Sequence, residues 1–71
     1  MLNNIVMENI ELKIGLRFYM FGNKTNSFRV INFDNKSMFL YSELLCKNMP
    51  KPYKRDQFIS MVESGVIEFF E

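Results

Sequence analysis

The stretch Ile10–Phe21, IELKIGLRFYMF, constrains this chain more than any other. Its even positions are all apolar (Ile10, Leu12, Ile14, Leu16, Phe18, Met20), while its odd positions read Glu11, Lys13, Gly15, Arg17, Tyr19 and Phe21. Alternation with period two predicts a strand with one face on a core and the other toward water. A helix, turning about 100° per residue, would scatter the even residues around its cylinder. The strand so predicted is about twice the common length. Gly15 near its middle marks a bulge or sharp bend, so that one bent strand serves two halves of a curled sheet.

The rest of the chain supplies partners for that strand. Gly22–Ser27 is rich in Gly and Asn and predicts a turn. Phe28–Phe33 follows as a second strand, and its alternation slips between Val30 and Ile31, which predicts a bulge or burial on both faces. Asp34–Ser37 is a hairpin turn, and Met38–Tyr41 begins a third strand. Ser42–Cys46 reads either as one capped helical turn or as a continuation of that strand. Lys47–Arg55, interrupted by Pro50 and Pro52, predicts a loop. Asp56 opens a helix whose Phe58, Ile59, Met61 and Val62 form one apolar stripe and whose stop is Ser64-Gly65. Val66–Phe70, VIEFF, predicts a closing strand. Residues 1–9 read as a frayed or short helical lead-in.

The order β-β-β-α-β defines one small domain over residues 1–71, of the α+β class and mostly β. The expected architecture is a small, strongly curved antiparallel sheet or open barrel with one helix in the C-terminal half. With 48% hydrophobic and 15% aromatic residues in 71, the chain holds more apolar surface than so small a core hides. That excess predicts a homodimer or a partner-binding face.

Composition excludes more function classes than it suggests. Histidine is absent, which removes the commonest general base and every Ser-His or Cys-His pair. The three glycines are scattered, so no phosphate-binding loop or dinucleotide fingerprint exists. No catalytic residues, no metal site and no cofactor are expected, and the chain reads as no enzyme. The one cysteine, Cys46, cannot form an intramolecular disulfide and, beside Leu44 and Leu45, is expected to be a buried structural thiol. The opening MLNNIVMEN has no signal-peptide character, and no apolar run approaches the ~20 residues of a membrane span. A cytoplasmic location with no membrane partner is the expectation.

Nine basic against eight acidic residues give a net charge of +1, far from the excess of a typical nucleic-acid binder. One cluster stands out: Lys47, Lys51, Tyr53, Lys54 and Arg55. Together with Lys13, Arg17 and Tyr19 from the outer face of the first strand, it forms the candidate binding surface. Tyr19 and Phe21 are expected to be covered by the N-terminal segment or by Phe69 and Phe70. Two functions fit. The first is a non-catalytic protein-interaction module, in the manner of a phage or mobile-element accessory protein that inhibits a host nuclease or defence system. The alternative is a small nucleic-acid-binding module in which Lys51, Lys54 and Arg55 of the basic 47–55 loop hold phosphates and Tyr53 stacks on a base.

Overall fold

The computed structural model describes residues 12–70, so the lead-in 1–9 and the first two residues of the expected long strand lie outside the described residues. Six strands and one helix follow in the order β1 (Arg17–Met20), β2 (Asn23–Phe33), β3 (Ser37–Ser42), β4 (Lys47–Asn48), β5 (Tyr53–Lys54), α1 (Arg55–Glu63) and β6 (Ile67–Phe69). They form one antiparallel sheet ordered β4-β3-β2-β1-β6, with β5 also paired to β3. The mostly-β, α+β expectation is met. The sheet is open and does not close into a barrel.

The first strand is shorter than its alternation suggested. The Leu16 amide donates to the Lys13 carbonyl, closing a turn over Lys13–Leu16 with Gly15 at its third position and φ +95°. Gly15 N–H also donates to the Val30 carbonyl, and Val30 N–H donates to the Leu16 carbonyl. Two residues thus face one, the hydrogen-bond pattern of a glycine bulge. The bulge expected at Gly15 is present, but it begins the strand instead of bending it. Ile14, assigned to the core by parity, is carried out by the turn and is 66% exposed. A Cβ at Gly15 would meet nothing within 4 Å, so a side chain there is penalised only by its backbone angle. Gly15→Val is expected to lower stability by about 1–3 kcal/mol, and Gly15→Asn by less, in urea unfolding.

The β1–β2 connection is tighter than the Gly22–Ser27 turn the sequence suggested. Met20 pairs with Asn23, leaving Phe21 and Gly22 as a two-residue loop with φ +55° and +70°. Positive φ at both positions is the twist-matched hairpin turn. The Asn-rich segment becomes an irregular stretch of β2, where the register jumps between Tyr19 and Met20 and Asn23 Oδ1 accepts from the Thr25 amide at 3.1 Å. The slip at Val30–Ile31 is a bulge: Val30 pairs with Leu40, whereas Asn32 pairs with Phe39.

Residues 47–55 are not simply a loop. β4 and β5 pair with the two ends of β3, and the Met49 amide donates to the Leu40 carbonyl at 2.8 Å. The segment is an edge strand broken by Pro50 and Pro52, residues that cannot donate to a ladder. Ser42–Cys46 resolves as a tight turn, with Ser42 Oγ accepting from the Leu45 amide at 3.1 Å. α1 then crosses one face of the sheet from β5 to β6. It ends where the Val66 amide donates to the Met61 carbonyl and the Gly65 amide to that of Val62, the paired bonds of a Schellman stop. The core between helix and sheet holds Phe18, Val30, Met38, Leu40, Phe58 and Ile67.

Candidate functional site

α1 covers one face of the sheet, and the exposed polar and aromatic groups gather on the other face and at the ends. Residues directly opposite one another on paired strands point to the same side. The register therefore lays Arg17, Arg29, Tyr41 and Asn48 in one row across β1, β2, β3 and β4 on the face away from the helix. Phe39 lies on the same face of β3 as Tyr41 and is 38% exposed.

Two like charges facing each other on adjacent strands repel, and Glu43 relieves this. Its Oε1 accepts from Arg17 Nη2 at 2.9 Å and from Ser27 Oγ at 2.7 Å, while Oε2 lies 3.0 Å from Arg17 Nε and 4.0 Å from Arg29 Nη1. Hydrogen bonds from Arg17 and then Ser27 hold the Glu43 carboxyl below its ordinary range. Each guanidinium also sits over a ring, Arg17 at 4.3 Å from the Phe70 centroid and Arg29 at 4.9 Å from that of Tyr41. Tyr19 is buried on this face, with Phe70 edge-on at 5.0 Å. Phe70 thus covers Tyr19 as expected. Phe21 is left 78% exposed, contrary to expectation, because the turn holds it beyond the end of the sheet.

The basic cluster read from the sequence is dispersed. Lys47, Lys51 and Lys54 are exposed. Tyr53 is turned toward α1, where its hydroxyl lies 2.8 Å from Met61 Sδ, and burial raises its phenol above 10.0. It is not presented for stacking. Arg55 donates from Nη1 to the Asp34 carbonyl at 2.8 Å and sits over the Phe33 ring, so it ties α1 to the β2–β3 turn. Arg17 and Tyr19 belong to the far face of β1, with β2 and β3 between them and the 47–55 segment. Lys13 is exposed in the turn before β1. The eight candidates therefore do not form one surface, since pairing puts two strands, β2 and β3, between β1 and the β4–β5 edge.

Arg29, Phe39, Tyr41 and Glu43 were not singled out from the sequence, and Phe70 was expected only as a cover for Tyr19. Arg29 and Tyr41 carried a usable signal, because each is a non-core position of an alternating strand. Glu43 carried none, lying 26 residues from Arg17 in a turn.

A second surface lies at the end of the sheet where β1 and β3 finish. The two turns there present Phe21 at 78% exposure and Leu44 and Leu45 at 57% each. Cys46 completes the second turn and is exposed, not buried as expected, because the turn projects past the last rung of β3. Phe21 and Cys46 are also the non-glycine residues with positive φ among the described residues, at +55° and +57°. Large apolar side chains and unfavourable backbone angles coincide in these turns.

Among the described residues no group of His, Cys, Asp or Glu gathers where it could hold a metal ion, and no helix is long and apolar enough to cross a membrane. The chain matches no family model, and comparison with curated proteins and with solved structures finds no significant similarity.

Proposed function

We propose that the protein is a non-catalytic protein-interaction module that docks through the apolar turns at the β1–β2 and β3–β4 end. The observation that carries this reading is the 78% exposure of Phe21 on a backbone angle that disfavours a bulky residue. Folding alone gives no reason for Phe there. Asn would satisfy the same turn at lower energy and would hide one apolar ring fewer from water. Strain retained with exposure points to use. Within this class, a phage or mobile-element inhibitor of a nuclease or defence system is the reading that the small size and absent histidine favour.

The test turns on one substitution with opposite effects on folding and binding. Phe21→Asn is expected to raise stability by about 1 kcal/mol in urea unfolding. The same variant, and Leu44→Asp, are expected to lose the partners that the wild-type chain retains in affinity capture. Light scattering on the purified wild type and variants shows whether the partner is a second copy of the chain. An unchanged capture profile with both variants would remove the apolar turns from the binding surface.

A further inference from the structure

We infer that the sheet face opposite α1 binds single-stranded nucleic acid, with Arg29, Tyr41 and Phe39 as the contact residues. This surface is separate from the apolar turns, so the inference does not depend on the protein-docking reading.

Four features of the face combine. Two guanidinium groups are held over rings, Arg17 over Phe70 at 4.3 Å and Arg29 over Tyr41 at 4.9 Å, with side chains 46% and 44% exposed. Glu43 is held by Arg17, and Glu68 lies toward β6 opposite Tyr19, so the unpaired positive charge on this face is at Arg29. Phe39 and Tyr41 stand on the same face of β3, about 7 Å apart along the strand at the usual rise. Unstacked bases of a single strand can reach such a spacing, whereas a duplex keeps its bases inside. Asn48 and Asn32 are exposed beside Tyr41 and Phe39 as their cross-strand partners and offer amide groups to base edges.

The choice of nucleic acid over an acidic peptide rests on the exposed Phe39 ring beside the open Arg29, because a base uses both and a carboxylate uses only the arginine. A carboxylate binds an arginine through the N–H fork. Glu43 already occupies Nε and Nη2 of Arg17 at 2.9–3.1 Å. Arg17 keeps its Nη1 hydrogens, the second Nη2 hydrogen and the guanidinium face away from Phe70, a plane on which a base can stack. Arg29 is the complement. Its nearest carboxylate oxygen is 4.0 Å away, beyond a good hydrogen bond, so its fork is open to a phosphate. Arg17 is thus set to stack, Arg29 is held by the Tyr41 ring to pair with the backbone, and Phe39 offers the exposed ring of β3. The arrangement places the nucleic-acid site on the sheet and not on the 47–55 segment, where Tyr53 and Arg55 are engaged internally.

Fluorescence anisotropy on the full chain tests this at low and moderate salt. The probes are a labelled oligothymidylate, an abasic oligomer with the same number of phosphates and a duplex, with polyglutamate as competitor. Oligothymidylate is expected to bind in a salt-sensitive manner, and the abasic oligomer and the duplex about tenfold or more weakly. Arg29→Ala and Tyr41→Ala are each expected to weaken binding about tenfold. Phe39→Ala, at a more exposed position, reports the same loss should Tyr41→Ala perturb folding by circular dichroism. Lys51→Glu with Lys54→Glu is expected to change affinity less than threefold. Absence of binding at low salt overturns the inference. So does equal binding of the abasic oligomer or the duplex, or displacement by polyglutamate at matched charge. Loss confined to the lysine variant overturns it as well and returns the site to the edge segment.

Discussion

Phe18→Asp is expected to leave the chain unfolded at 25 °C, with no cooperative thermal transition by circular dichroism. Phe18 is fully buried, its ring stacked on Phe28 at 5.7 Å and edge-on to Phe58 at 5.2 Å. Its cross-strand neighbours are Phe28 on β2 and Phe69 on β6, and Phe58 reaches down from α1. One side chain therefore joins three strands to the helix. Truncation of such a residue to alanine costs about 3–5 kcal/mol, and a chain of this size holds in total on the order of 4–10 kcal/mol. Aspartate adds the cost of an unpaired buried charge. Arg17→Asp, one residue away on the opposite face, removes the fork to Glu43 and is expected to cost only about 1–3 kcal/mol while the fold persists. A folded Phe18→Asp protein alongside an unfolded Arg17→Asp protein would mean that the faces of β1 are reversed.

Glu43→Gln is expected to destabilise the protein by about 2 kcal/mol at pH 7, a large effect for a side chain on the far face of the sheet. The substitution removes the negative charge that Arg17 binds and leaves Arg17 and Arg29 opposed across β1 and β2. The pH dependence follows from the direction of the shift. The folded carboxyl lies below its ordinary 4.5, so its contribution is complete above that value and is lost as pH falls through the folded value. Asp34 acts in the same sense, because the amides of Lys36 and then Ser37 bind its carboxylate. Tyr53 acts on the alkaline side: burial favours its neutral form, so its contribution is present below 10.0 and declines as pH rises from there toward the folded value. Urea unfolding of wild type and Glu43→Gln should differ at pH 7 and converge as the pH falls below 4.5 and the folded carboxyl takes up its proton. A gap that persists at low pH would show that the variant disturbs packing and not the charge network.

Local patterns in the chain carried much of the architecture. The alternation through Phe18 placed the central core residue, and the slip at Val30–Ile31 marked a bulge that the pairing of Val30 with Leu40 and Asn32 with Phe39 displays. The stripe Phe58, Ile59, Met61 and Val62 with its Ser64-Gly65 stop is α1 and its Schellman end. These are short-range features, decided by rotation per residue and by which residues tolerate a given backbone angle. Ile14 failed the same pattern, because a turn centred beside Gly15 leaves side-chain parity without meaning.

The candidate site was far less legible. Its members are neighbours only through strand pairing: Arg17 meets Arg29 and Arg29 meets Tyr41 across ladders, and Glu43 reaches Arg17 over 26 residues. The basic cluster at 47–55 is dispersed for the complementary reason. Adjacent residues on an extended segment point to opposite sides, so Tyr53 entered the core region while Lys54 stayed in solvent.

By itself, then, the amino-acid order determined a mostly-β domain with one C-terminal-half helix, a core centred on Phe18 and Phe58, and a chain without histidine chemistry. Tertiary structure alone decided that the sheet stays open, that Phe21, Leu44 and Leu45 share one end, and that two arginines share one carboxylate. The physical division is between interactions within a turn or a few residues, which side-chain type and spacing dictate, and contacts between distant segments, which exist only once strand register brings them to one face.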